Sequence, residues 1–306
     1  LYFYGEGVEK DYSKAKEYFE LAVRQNNSEA LVSLGNLYFE GKGVKQNFLK
    51  AKEYYELAVQ QKNSDALVAL GKLYFYGEGV EKDYSKAKEY YELAVEQKNS
   101  NGAINLGLLY YFGNGVRQNY FKSKEYFELA AKQNNSQAFV YLANHYLFGY
   151  GVKQDCLKAK EYFELAAKQG NAEGMNSLGN LYFDDRFIPR DLIKAKEFFE
   201  SAAEQNHSES LFNLGNVYFN GYGVQPDLQK ARRYFELAGE NKNQDALYNL
   251  GNMYFNGIGV ERDLVKARHY FELSSNLNNK FANNNLGHIY FYGLGVEQNY
   301  TLSRKY

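Results

Sequence analysis

The fold is decided by the run Leu37-Tyr38-Phe39-Glu40-Gly41-Lys42-Gly43-Val44. Residues 73–80 read Leu-Tyr-Phe-Tyr-Gly-Glu-Gly-Val, so the pattern returns after 36 residues, and it persists to residues 289–293 without an insertion or deletion. A fixed period of this length is typical of helical repeats that stack into a continuous core. The 306 residues therefore predict one array over 1–306, made of eight and a half units. Because both ends fall within a unit, we expect the chain to be part of a longer protein.

Each unit is predicted to form two helices. The first spans roughly residues 29–40, where apolar and small side chains recur at helical spacing. Ser28 is placed to cap its start. Gly41 and Gly43 allow left-handed turns after its end, and Asn47 is placed to cap the second helix. We therefore expect an all-α fold, a right-handed α-solenoid superhelix of antiparallel two-helix repeats of 36 residues.

Composition narrows the classes of partner. The chain has 36 Lys and Arg against 37 Asp and Glu, which is too balanced for the positive field that nucleic acid or an anionic membrane requires. No apolar run approaches the ~18 residues of a membrane span. The single cysteine, Cys156, excludes intrachain disulfides and cysteine-based metal sites, and we expect it to be a small buried apolar residue. We therefore expect no nucleic acid partner and no membrane span in this segment.

The repeated motif resembles a known family. Its pattern is Ala-x-x-x-Leu-Gly-x-Leu-Tyr-Phe-x-Gly-x-Gly-Val, followed by Asp-x-x-Lys-Ala-x-x-Tyr-Phe-x-x-Ala, and it is similar to the Sel1-like repeat, a relative of the tetratricopeptide repeat. The resemblance covers the whole chain. Bacterial members with a disulfide in each repeat are not matched, because this chain has one cysteine. The resemblance implies a non-enzymatic adaptor that gathers partner proteins, as in endoplasmic-reticulum-associated degradation, signalling or contacts between bacteria and hosts.

Residues that carry chemistry are scarce. The repeated Gly-x-Gly never completes a phosphate-binding Gly-x-Gly-x-x-Gly, and it follows a helix where a strand is required. The histidines lack partners at metal-ligand spacing and replace Leu, Asn or Glu of other units. They are His145, His207, His269 and His288. No nucleophile recurs beside a base. We therefore expect no enzyme activity, no cofactor and no metal site.

Four Asn-x-Ser/Thr sequons begin at Asn26, Asn134, Asn206 and Asn299. They would carry glycans if the chain entered the secretory pathway. In the first three, the serine is also the expected helix cap, which gives these sequons a structural origin. A cytoplasmic location is favoured, and the sequons leave the lumen of the endoplasmic reticulum open.

The predicted partner-binding surface lies on the first helices, which line the concave side of such arrays. Residues opposite the apolar stripe of a first helix fall at the positions of Glu29, Val32, Ser33, Asn36 and Glu40. Asparagine recurs at the Ser33 and Asn36 positions. The members of this asparagine ladder are Asn144, Asn180, Asn213, Asn216, Asn249, Asn252 and Asn285. Evenly spaced amides can hydrogen-bond the backbone of an extended peptide. The alternative is that asparagine is frequent in this chain and habitual in the family.

Earlier units place aromatic and branched side chains on the same surface. These residues are Val68, Tyr76, Ile104, Leu108, Phe112, Val140, Tyr141 and Phe148. Contiguous exposed apolar side chains mark partner sites, and we expect the anchors to be Ile104, Phe112 and Phe148. The alternative is that these side chains close against neighbouring loops.

One unit departs from the pattern. Residues 184–189 read Asp-Asp-Arg-Phe-Ile-Pro and lose both loop glycines while keeping the length. This loop is therefore predicted to adopt another backbone conformation. It either changes the local curvature, provides a special contact or reflects ordinary repeat decay.

The favoured function is an adaptor that binds other proteins or peptide segments through the concave face. Two other readings are open. The array is either the targeting arm of an enzyme, such as a protein kinase, encoded outside this segment, or a self-associating structural rod. The sequence does not set the partner or the oligomeric state.

Overall fold

The structure is a computed structural model that describes residues 2–3 and 9–306. This part of the chain forms seventeen α-helices and no strand, so the predicted all-α repeat fold is confirmed. In chain order the helices are α1 (Tyr12–Val23), α2 (Ser28–Glu40), α3 (Phe48–Gln60), α4 (Ser64–Tyr76), α5 (Tyr84–Glu96), α6 (Ser100–Phe112), α7 (Tyr120–Ala131), α8 (Ser136–Phe148), α9 (Cys156–Lys168), α10 (Ala172–Phe183), α11 (Leu192–Ala203), α12 (Ser208–Asn220), α13 (Leu228–Glu240), α14 (Gln244–Asn256), α15 (Leu264–Asn276), α16 (Lys280–Tyr292) and α17 (Tyr300–Lys305).

Even-numbered helices are the first helices of their units, and odd-numbered helices are the second. The chain forms two compact parts, an N-terminal part that ends at Asp155 and a C-terminal part that begins at Cys156. Within each part, a first helix packs most extensively on the second helix that follows it, as α2 does on α3 and α14 on α15. First helices of neighbouring units also touch, as α4 does α6 and α12 does α14.

The core of most units contains a close approach between a glycine of the first helix and a ring of the second helix. The Tyr55 ring is buried between α2 and α3, and a Cβ added at Gly35 would lie 2.3 Å from its Cε1 atom. The same relationship joins Gly71 to Tyr91 one unit later. A methyl group at Gly35 or Gly71 would displace the buried ring opposite it, so the close approach at these two positions depends on glycine. The equivalent residue of α8 is an alanine, Ala143.

The start of each first helix differs from the prediction in one respect. The cap of α2 is Asn27 rather than Ser28, and its side chain accepts from the Ala30 amide at 2.9 Å. Ser28 instead accepts a hydrogen bond from Nδ2 of Asn63, the cap of α4, at 3.2 Å. The expected serine cap is therefore wrong, because the preceding asparagine provides an acceptor for its own helix and a donor for the previous unit.

The backbone conformation of the turn before the first helices explains the first three sequons. Asn26, Asn134 and Asn206 have φ values of 60°, 55° and 57°. Among residues with side chains, asparagine tolerates this left-handed conformation well. Their recurrence therefore reflects a turn that requires positive φ, followed by a capping residue and a serine that is the first residue of the next helix.

The loops within the units follow the prediction. Gly41 and Gly43 have φ values of 70° and 66°, and Asn47 caps α3 by accepting from the Lys50 amide at 3.0 Å. In the departing unit, by contrast, α10 is followed by an extended residue, Asp184, whose carboxylate accepts from the Arg186 amide at 3.0 Å. No residue of 184–189 has positive φ, so the expected change of loop conformation is confirmed.

Two further observations complete the fold. Cys156 is partly exposed, so the expectation that it is buried is wrong; it lies at the first residue of α9, where the helix end is open to solvent. None of the helices in residues 9–306 is both long and apolar enough to cross a membrane.

Candidate functional site

Three of the predicted surface residues lie inside the core. Val68, Ile104 and Val140 are buried, and the expectation that they line a binding surface is wrong. Ile104 packs with Ala130 and Ala138, which belong to the two helices that follow α6. A first helix contacts its own second helix and the first helix of a neighbouring unit, so the buried arc is wider than helical periodicity alone indicates.

An aromatic row does remain at the surface of the N-terminal part. It consists of Tyr76, Phe112 and Phe148, the last residues of α4, α6 and α8, which are 63%, 61% and 50% exposed. Phe112 rests edge-on against Tyr111, with ring centroids 4.9 Å apart. Three successive units therefore present one ring each at the same position, which is the kind of exposed apolar row that marks a contact surface.

The other predicted residues of this part are half-buried. Leu108 packs against the cluster that contains Ile104. The Tyr141 ring stacks on Phe127 with centroids 4.7 Å apart, so it contributes mainly to the core. Asn144 is half-buried on α8.

In the C-terminal part, the asparagine ladder is a set of hydrogen-bonded pairs. Nδ2 of Asn249 donates to Oδ1 of Asn216 at 3.4 Å, and Nδ2 of Asn285 donates to Oδ1 of Asn252 at 3.3 Å. The first pair joins α12 to α14, and the second joins α14 to α16. Each pair therefore links the first helices of adjacent units.

The ladder begins with a branched pair. Nδ2 of Asn213 donates both to Oδ1 of Asn180, at 3.2 Å, and to Oδ1 of Asn176, at 3.1 Å. Asn176 is buried and was not among the predicted site residues, because its column holds apolar residues in the earlier units.

The pairing orients the amides. Because Asn249 uses a hydrogen and Asn216 uses its oxygen, the pair retains the Asn249 Oδ1 acceptor and the Asn216 Nδ2 donor, and neither atom has a further partner among the described residues. Asn220, which the sequence reasoning missed, donates from Nδ2 to the Asn216 carbonyl at 3.0 Å and so keeps its own oxygen available. Fixed amides of this kind offer a donor and an acceptor side by side.

A cavity adjoins the Asn216–Asn249 pair. Its volume is about 280 Å³, and it lies between α12, α14 and the loop after α14. Its apolar lining comes from Phe219, Met253 and the exposed loop residue Ile258, and its polar lining is asparagine. The sequence signal that could have found Ile258 is its position at the loop tip, where most other units carry a polar or charged residue, such as Lys42.

Carboxylates near this surface are already partnered. Glu209 accepts from Nδ2 of Asn243 at 3.2 Å, and Asp245 accepts from Nδ2 of Asn279 at 2.9 Å. A hydrogen bond from His207 lowers the pKa of Glu173, the equivalent residue of α10. The carboxylates at the starts of these helices are therefore hydrogen-bonded to residues of neighbouring units. The residues that line the cavity are all uncharged.

One buried polar pair was also missed. Nδ1 of His145 donates to the Tyr150 carbonyl at 2.7 Å, and Nε2 lies 3.3 Å from the Ser123 hydroxyl. Both side chains are buried, and burial lowers the pKa of His145. The sequence signal for this pair is that two polar residues occur in neighbouring helices at positions that are apolar elsewhere. Most units hold alanine at the position of Ser123 and an apolar residue at the position of His145.

Other chemistry finds little support in the described residues. They hold no group of three or more His, Cys, Asp or Glu side chains that could bind a metal ion. At least four depressions in this part of the chain are larger than the cavity beside Asn216 and Asn249, and the two largest of these four, of about 810 and 710 Å³, lie by the starts of α15 and α13 and include none of the paired asparagines in their lining.

Comparison with known proteins identifies the repeat. The model of the Sel1 repeat matches residues 1–27, 28–63, 64–99, 100–135, 137–171, 172–207, 208–243, 244–279 and 280–306. No curated protein sequence matches the chain significantly.

Solved structures agree with this match. A protective antigen of uropathogenic Escherichia coli is 30% identical with a TM-score of 0.54, over 99% of this chain and 72% of that one. A Sel1 repeat protein from Oxalobacter formigenes is 27% identical with a TM-score of 0.66, over 90% and 79%. An immunity protein from Pseudomonas aeruginosa, 21% identical over 67% and 80% with a TM-score of 0.51, shares the fold.

Proposed function

Because this chain belongs to the Sel1 repeat family, we propose that it is a non-enzymatic scaffold that binds a segment of a partner protein on the concave face lined by its first helices. Sel1 repeat proteins generally mediate protein–protein interactions, and their fold is typical of scaffolds without catalytic activity.

The observation that carries this proposal is the set of amide pairs between adjacent first helices. Asn216 and Asn249 present a donor and an acceptor in fixed positions, and the next pair repeats them one unit later. A peptide backbone offers the complementary carbonyl and N–H groups at regular intervals. The pairs therefore suit a partner that is held largely by its main chain.

The aromatic row supplies the second kind of contact. Phe112 and Phe148 are exposed at equivalent helix ends, whereas Ile104 is buried and is not an anchor. Burying an aromatic ring in an interface contributes strongly to affinity. Self-association through this row is the second candidate function, and three neighbouring exposed rings favour it.

The test is affinity capture from an extract of the source organism. The parent chain is compared with the triple variant Asn216→Ala, Asn252→Ala, Phe112→Ala. The control carries Gln60→Ala, Glu96→Ala and Glu240→Ala, three exposed residues at the ends of second helices. We expect parent and control to retain a common protein that the folded triple variant loses; retention by all three would place the contact elsewhere.

Sedimentation velocity separates the second candidate. If the chain self-associates through the aromatic row, its sedimentation coefficient rises with concentration, and Phe112→Ser abolishes the rise. A concentration-independent coefficient removes self-association as the function of this row.

A further inference from the structure

The cavity beside Asn216 and Asn249 has the size of a single side chain. An engineered cavity of about 150 Å³ accepts benzene, whereas pockets for small-molecule ligands start at about 300 Å³. At about 280 Å³ and open to solvent, this cavity has room for one branched aliphatic side chain with part of its backbone. It is too small for a drug-sized ligand.

The lining selects an uncharged occupant. Phe219 and Met253 of the helices and Ile258 of the loop after α14 form the apolar lining of the cavity. No charged side chain lines the cavity, so a buried carboxylate or ammonium would have no partner, which is strongly unfavourable. An aliphatic side chain gains from burial at no such cost.

The rim offers amide groups that are complementary to a backbone with exposed N–H and C=O groups. The Asn249 Oδ1 acceptor and the Asn216 Nδ2 donor are free of other partners among the described residues. A helical partner satisfies its backbone N–H and C=O groups internally and would leave both amide groups unused. An extended segment presents these groups to its surroundings.

The spacing of the units decides which extended conformation fits. The first helices α12 and α14 contact each other, and helices in contact typically lie about 8–10 Å apart. In polyproline II conformation, residues three apart share one side of the chain and lie about 9.3 Å apart, from three residues per turn and a rise of ~3.1 Å. In a β-strand, residues three apart point to opposite faces, and residues two apart are only about 6.6 Å distant. Polyproline II therefore matches the array.

Resting on the proposed function, we infer that the cavity between α12 and α14 is an anchor pocket for an aliphatic side chain of a polyproline II peptide, whose backbone pairs with Asn216 and Asn249. The adjacent unit has a second amide pair, Asn252–Asn285, and an aliphatic residue, Leu294, at its loop tip. The recognised segment carries aliphatic residues three positions apart.

The test uses a phage-displayed library of random peptides about twelve residues long, which at about three residues per unit span four units. Enriched sequences should show aliphatic residues at positions i and i+3. The consensus peptide, labelled with a fluorophore, is then titrated with the chain and its variants by anisotropy.

Ile258→Asp is the main variant, because it brings a carboxylate to the cavity wall from an exposed loop tip. We expect it to weaken the consensus peptide about tenfold or more. Asn114→Asp places a carboxylate at the equivalent loop tip of the N-terminal part and should leave affinity unchanged. Asn249→Asp, which removes the donor to Asn216, tests the rim independently.

The outcomes separate this inference from the scaffold proposal. Peptides that bind Ile258→Asp as tightly as the parent, or whose apolar residues lie seven apart as on a helix, overturn the anchor pocket and leave the scaffold standing. Failure of the library to yield any binder also overturns the pocket. The scaffold itself then depends on the extract capture, which does not involve Ile258.

Discussion

The Ser123 hydroxyl lies 3.3 Å from Nε2 of His145 in the buried contact between α7 and α8, where equivalent units pair alanine with an apolar side chain. The other ring nitrogen donates to the Tyr150 carbonyl, and burial lowers the pKa of His145, which favours the neutral ring whose Nε2 accepts from the serine. Ser123 and His145 thus replace the alanine and the apolar residue of other repeats with one hydrogen-bonded pair.

This pair predicts a pH-dependent stability. Burial lowers the pKa of His145 below its ordinary value of 6.5, so folding favours the neutral ring. The stability that the neutral ring contributes is complete above the pKa that His145 has in the unfolded chain, and it is lost as the pH falls below that pKa. Unfolding in urea at about pH 7.5 and about pH 5.5 should show a larger loss for the parent than for Ser123→Ala/His145→Leu. Equal losses would contradict the role of His145.

The pair also predicts non-additivity. Ser123→Ala alone leaves the buried Nε2 without a donor and should cost about 1–3 kcal/mol of unfolding free energy. The double variant restores the apolar pairing of other units and should recover much of this loss. A double-mutant cycle by urea denaturation measures the coupling, and additive effects would show that the hydrogen bond does not matter.

Gly35 is expected to be intolerant of a methyl group. Gly35→Ala places a Cβ 2.3 Å from the buried Tyr55 ring and should destabilise the fold by about 1–3 kcal/mol. Gly287 is the matched control, because it holds the equivalent position in α16 and its nearest contact would be 3.6 Å away. Gly287→Ala should be neutral or stabilising by about 0.4–1 kcal/mol. Thermal unfolding checks both, and equal effects would refute the close-packing argument.

Ile104 and Phe112 lie on the same helix, and their replacement by alanine should change the stability of the fold to very different extents. Ile104 is 7% exposed and Phe112 is 61% exposed. Ile104→Ala should cost about 2–5 kcal/mol by opening a cavity, whereas Phe112→Ala should change stability by about 0.5 kcal/mol or less. Urea denaturation measures the difference. A small loss of stability for Ile104→Ala would contradict the burial of this side chain.

Asn63 is expected to stabilise two units at once. Asn63→Ala removes the cap of α4 and the bond to Ser28, and should cost about 1–2 kcal/mol. Asn63→Asp retains the cap acceptor and loses only the Nδ2 donor, so it should cost less. Comparison with Ser28→Ala by thermal unfolding separates the two contributions; equal losses for Asn63→Ala and Asn63→Asp would assign the whole effect to the contact between units.

The sequence by itself determined the repeat, its period and most of the local structure. Gly41 and Gly43 predicted left-handed turns, and Asn47 predicted a cap, because these conformations depend on few neighbouring residues. The loss of glycine in residues 184–189 predicted a different loop for the same reason.

Only the tertiary structure decided which residues of the first helices reach the surface. Val68 and Val140 lie opposite the apolar stripe by periodicity, yet neighbouring elements of the array bury them. The pairing of Asn249 with Asn216 and the cavity beside Ile258 also depend on contacts between units. Periodicity specifies a direction around one helix axis, whereas burial depends on how close the next helices come, and that distance is set by side chains some 36 residues away.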